Sequence, residues 1–68
     1  MSNWISVYTT PIPHRADIVK AVLEEEGLSP IVINKKDSSL KFGYFEVMVE
    51  QEEVTQASEL INNEIRFE

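Results

Sequence analysis

The sequence predicts an α+β domain of the split β-α-β kind. Three observations predict it. Short stretches of period two, at 4–8, 31–33 and 45–49, alternate with two stretches whose apolar residues recur at helical spacing. Both helical stripes run i, i+3, i+6, i+7: Ala16, Val19, Val22 and Leu23, then Val54, Ala57, Leu60 and Ile61. Breakers fall between them, as TTPIP, Gly27 and Pro30.

Each element follows in order. In WISVY, Ile5 and Val7 point one way and Trp4, Ser6 and Tyr8 the other, as in a half-buried strand. Pro13 suits the first turn of a helix, where its missing N–H is no loss. That helix covers 13–26. Gly27 supplies a left-handed stop, and Leu28 can pack back onto the last turn. Its charges oppose the helix dipole, with His14 and Arg15 at the start and Glu24, Glu25 and Glu26 at the end. Pro30 opens a second strand, in which Ile31 and Ile33 share a face and Val32 takes the other. In FEVMV, Phe45, Val47 and Val49 face inward and Glu46 and Met48 outward. Glu50, Gln51, Glu52 and Glu53 make an acidic helix start, which the dipole favours. IRFE, residues 65–68, alternates as a short last strand. The order β-α-β-β-α, with both helices on one face of an antiparallel sheet, is the ferredoxin-like fold, complete or lacking most of its last strand.

Composition bounds the function. The whole chain, 1–68, reads as one domain. A chain of this size buries only about 60% of the surface it exposes when unfolded, so its stability margin is narrow. It has no cysteine for a disulfide or a thiolate metal site. No apolar run approaches the roughly 20 residues of a membrane span, and no signal peptide is visible. A cytoplasmic protein is expected. The net charge of −6 disfavours nucleic acid as a partner. With one histidine and no glycine-rich phosphate loop, no metal, cofactor or catalytic constellation is expected.

Three candidate sites stand out. The first is NKKDSSLKFGY, residues 34–44, which gathers Lys35, Lys36 and Lys41, half of the chain's six basic residues, against twelve acidic ones. It reads as the connection between the second and third strands. Asn34, Asp37 and Ser38 can shape a turn, and Gly43 permits a positive φ. Phe42 would anchor the run. The lysines would meet a carboxylate, a phosphate or an acidic partner surface, or else serve as ordinary solubility groups or pair internally with Glu46 or the helix carboxylates. The second is the sheet face away from the helices, expected to carry Trp4, Ser6, Tyr8, Val32, Glu46 and Met48. Its apolar members Trp4, Tyr8 and Met48 suggest self-association as a homo-oligomer, or the docking of a partner through this face or an adjacent sheet edge. The third is a small anion site at the first helix start, from His14 and Arg15.

The runs ISVYTT, ADIVKAVLEEEGL, IVINKKDSS and FG-x-x-EV-x-V, in that order, resemble the family of putative prokaryotic signal-transducing proteins over nearly the whole chain. INKKDSS is the most specific part. The chain departs from that pattern at Ile12, Pro13, His14 and Arg15, where a side-chain cap is usual, and at Leu40, where an aromatic is usual. The family is similar in fold to the PII (GlnB-like) bacterial signalling proteins. The resemblance implies that residues 34–43 occupy the position of the PII partner-contacting loop. It carries over no nucleotide site.

The resulting expectation is a non-enzymatic regulatory or adaptor module. It would bind an unknown protein partner or small ligand through Lys35, Lys36, Asp37, Ser38, Ser39, Lys41, Phe42 and Gly43, with no cofactor, nucleic acid or membrane. Two alternatives stay open. One is a small-metabolite sensor with its site between protomers. The other is a small phosphate- or acyl-phosphate-handling enzyme, for which TTPIPHR offers only Arg15.

Overall fold

A computed structural model describes residues 3–37 and 42–65. The elements are β1 (Trp4–Thr10), α1 (Pro13–Glu25), β2 (Ile31–Asp37), β3 (Phe42–Glu50), a 3-10 turn (Gln51–Glu53) and α2 (Val54–Glu64). The three strands form an antiparallel sheet in the order β1-β3-β2. This is the expected β-α-β-β-α order. Arg66, Phe67 and Glu68, expected to end a short last strand, lie outside the described residues. Ile65, just before them, has extended backbone and packs against the core.

The core lies between the helices and one sheet face. Ala16, Val19 and Leu23 of α1, Ala57 of α2, and Val47 and Val49 of β3 are fully buried. These are members of the expected helical stripes and the inward set of the third strand. The end of α1 also forms as expected. Gly27 takes φ +88°, its N–H donates to the Glu24 carbonyl at 3.0 Å, and the Leu28 N–H donates to the Leu23 carbonyl at 3.1 Å. That pair of bonds is the Schellman stop, and it drops Leu28 into the core beside Leu23.

Two strand faces differ from expectation. The β1 ladder pairs Ser6 with Met48 and Tyr8 with Val47, so Val7 is the extra residue of a β-bulge. Beyond the bulge the parity is reversed. Tyr8 shares a face with Val47 and packs on the core, as does Val7, instead of joining Trp4 on the outer face. In β2, Val32 pairs with Val47 and also packs on the core. Ile31 and Ile33 pair with Met48 and Glu46 and so take the outer face. The cause lies upstream. The helix stop buries Leu28, Pro30 is buried next, and even-numbered residues then run inward into Val32.

Of the acidic run at 50–53, expected as a helix start, Glu50 ends β3 and Gln51–Glu53 form the 3-10 turn, not regular α-helix. It is tied at both sides. The Gln51 N–H donates to the Asn3 carbonyl at 2.9 Å, and the Ser29 N–H donates to Glu53 Oε1 at 3.3 Å. These bonds fix α2 to the entrance of β1 and to the approach to β2.

Candidate binding surfaces

Lys35 and Lys36 are strand residues, not loop residues. They pair with Tyr44 and Gly43, and Asp37 pairs with Phe42, so the two strands run together up to residues 37 and 42. Asn34, expected to shape a turn, pairs with Phe45 within the ladder. Ser38, Ser39, Leu40 and Lys41 lie outside the described residues, as do the side chains of Asp37 and Phe42. Because the ladder alternates, the two lysines are on opposite faces. Lys35 lies on the open face with Tyr44, and Lys36 on the helix side with Gly43. Both are exposed.

Gly43 does not use a positive φ. Its requirement is close approach: a Cβ there would lie 2.8 Å from the Lys35 carbonyl oxygen and 3.3 Å from Lys36 Cγ. Glycine lets the hairpin close at that rung.

Lys35 has an internal partner, as one reading of its sequence context anticipates. Its Nζ is 3.6 Å from Glu46 Oε1, on the diagonal cross-strand position. Glu46 is the notable member. Its side chain is only 13% exposed, against 47% for Lys35. It lies in the central strand, between Thr9 of β1 and Ile33 of β2. Thr9, Thr10, Pro11, Tyr44 and Glu46 line an open groove of about 390 Å³ at this end of the sheet.

No helix among the described residues covers this face. Met48 is at its centre, flanked by Ser6 and Ile31, with Trp4 and Glu50 at one end and Tyr44 and Lys35 at the other. Trp4 is 38% exposed and Tyr44 37%. Of the three residues expected to make an apolar face, the structure brings together Trp4 and Met48 and removes Tyr8. Ile31, Ile33 and Tyr44 take its place. The parity of Leu28, Pro30 and Val32 is the sequence signal that could have located the two isoleucines.

At the start of α1 the backbone donors are mostly engaged. The Ile12 N–H donates to Thr10 Oγ1 at 3.1 Å, Pro13 has no N–H, and the Arg15 N–H donates to the Ile12 carbonyl at 3.1 Å. His14 is exposed and Arg15 half-buried. The helix has no side-chain cap, in keeping with the reading of Ile12 to Arg15.

The acidic turn carries one perturbed group. The Glu52 carboxyl is held above the usual glutamate range, first by a hydrogen bond and charge repulsion from Glu50, then by loss of hydration, and by Glu53. Among the described residues no group of three or more His, Cys, Asp or Glu is placed to hold a metal ion. No helix among them is long and apolar enough to cross a membrane.

Neither the curated proteins nor the solved structures gave a match to the chain. The model of one family, described as "Putative prokaryotic signal transducing protein", matches residues 4–65, which takes in every strand and helix just described, and the chain belongs to that family.

Proposed function

We propose that the protein is a non-enzymatic binding module in signal transduction, and that it meets a protein partner through the end of the β2–β3 hairpin, residues 35–43. The observation that supports this most directly is the exposure of Lys35 and Lys36 on opposite faces of one paired strand ladder in a strongly acidic chain. A paired ladder fixes the backbone of both lysines, which lowers the ordering cost of binding. The acidic remainder of the molecule repels a partner's acidic surface, and half of the chain's basic residues lie in this run.

The test is a pull-down with Lys36→Glu, and with Lys35→Glu plus Lys36→Glu. Lys36 is the cleaner position, because Lys35→Glu also sets two carboxylates against each other at Glu46. Both variants should lose a partner that the wild type retains. If every partner is retained by both, the hairpin reading is wrong.

The groove at Thr9, Thr10, Pro11, Tyr44 and Glu46 favours a second reading, a small-metabolite sensor. At one hundred times Kd, a bound metabolite would stabilise the fold by about 2.7 kcal/mol. A thermal-shift screen that finds no such compound would remove it.

A further inference from the structure

The open sheet face suits a partner of the opposite charge to the one expected at the lysines. Glu46 is a largely buried carboxylate in the middle of an apolar face, and burying a charge is costly unless it is well paired. Its partner Lys35 is 3.6 Å away, beyond the 2.7–2.9 Å of a charge-assisted hydrogen bond. Lys35 is about half exposed, so its flexible side chain can swing into water at little cost. The pair engages Oε1, and a carboxylate can accept about four hydrogen bonds. Glu46 therefore has capacity for a better donor.

The groove beside it selects the donor. Tyr44 offers an exposed aromatic side chain, Pro11 an apolar wall, and Thr9 and Glu46 acceptors. A guanidinium matches that set: it forks onto a carboxylate, stacks on an aromatic ring and sheds water more easily than an ammonium. Next to the groove lie Ile33, Met48 and Ile31, which would take apolar residues of the same segment. A second copy of this chain fits less well, because each copy carries a net charge of −6 and repels its own kind.

We propose that the open face docks a basic, amphipathic segment of a partner protein, with an arginine seated on Glu46 between Tyr44 and Pro11. This goes beyond the hairpin reading. The two share Lys35, which lies on this face, and part at Lys36, which lies on the other side of the sheet.

The probe is a short blocked peptide of alternating leucine and arginine. Two controls replace each arginine by citrulline, which keeps the shape without the charge, or by glutamate. Binding is read from the fluorescence of Trp4, the chain's one tryptophan, and from amide NMR shifts. The arginine peptide should shift Thr9, Thr10, Tyr44 and Glu46. The citrulline peptide should bind at least about tenfold more weakly, and Glu46→Gln should cause a similar loss with the fold intact by NMR. Lys35→Ala removes the internal competitor and should leave binding unchanged or tighter. Four results would each overturn the proposal. They are equal binding of the citrulline peptide, no effect of Glu46→Gln, shifts confined to Glu24–Glu26, and a sedimenting dimer that shields Trp4 and excludes the peptide. Loss of binding in Lys36→Glu but not in Glu46→Gln would support the hairpin reading against this one.

Discussion

Single residues decide how the hairpin closes and where charge accumulates. Gly43 sits opposite Lys36, where an added methyl would press on the Lys35 backbone. Gly43→Ala should therefore cost about 1–3 kcal/mol, the range for overpacking, measured by urea unfolding. An unchanged midpoint would show that the strands can part by a few tenths of an ångström without penalty. Glu52 tests the acidic turn. Its pKa is raised in the folded state, so its ionisation on going to neutral pH works against folding. Glu52→Gln should raise the melting temperature near neutral pH. The difference should shrink as the pH falls through the raised pKa of Glu52, where the wild-type carboxyl takes up a proton. A difference that grows toward acid would reverse the sign of the argument. The lysines show what can be read from residues without structure. Their clustering is plain in the sequence, and pairing of one with Glu46 was an available reading. That they occupy strand positions on opposite faces depends on where the ladder ends, which composition does not reveal.

At the scale of elements, periodicity was legible wherever one face is fully buried. Both helices, Val22 apart, and the inward set of β3 follow their stripes. The Gly27 stop was legible too, since only glycine adopts φ +88° freely. The two edge strands were less so. In β1 the bulge at Val7 breaks the period, and in β2 the apolar residues occur on both faces, so alternation alone gives no direction. The bulge makes a specific prediction. In a regular strand, deleting one residue turns the preceding segment over. Here, deletion of Val7 should restore a regular ladder with Ser6 still opposite Met48 and Trp4 still outward. The deleted protein should fold, weakened by about 1–2 kcal/mol through lost packing of one valine, with Trp4 as open to acrylamide quenching as before. A buried, unquenched Trp4 would mean that the strand is not bulged.

The molecule as a whole is a thin slab, 36 × 36 × 15 Å, and its two described helices pack on the same side of the sheet. One apolar layer therefore carries the fold. Leu23 is among the largest of its fully buried side chains. Leu23→Ala should cost about 2–5 kcal/mol, comparable to the whole stability of a domain this small. Circular dichroism at room temperature should show a largely unfolded protein. A cooperative melt close to that of the wild type would imply support from a surface outside the helix–sheet layer, the open face included. Such support would bear on the second, uncovered apolar surface formed by Ile31, Ile33, Met48, Trp4 and Tyr44.

The sequence by itself determined the element order, the helical faces, the inward set of the third strand and the family, because burial on one side imposes a period that survives in the residues. It also marked the basic run as unusual in an acidic chain. Only the tertiary structure decided the contents of the open face. The register of two edge strands depends on a bulge and on how the chain leaves a helix, and both act through packing against neighbours distant in sequence. That is why Tyr8 turned inward, Ile31 and Ile33 turned outward, and Glu46 came to line a groove with its side chain largely buried.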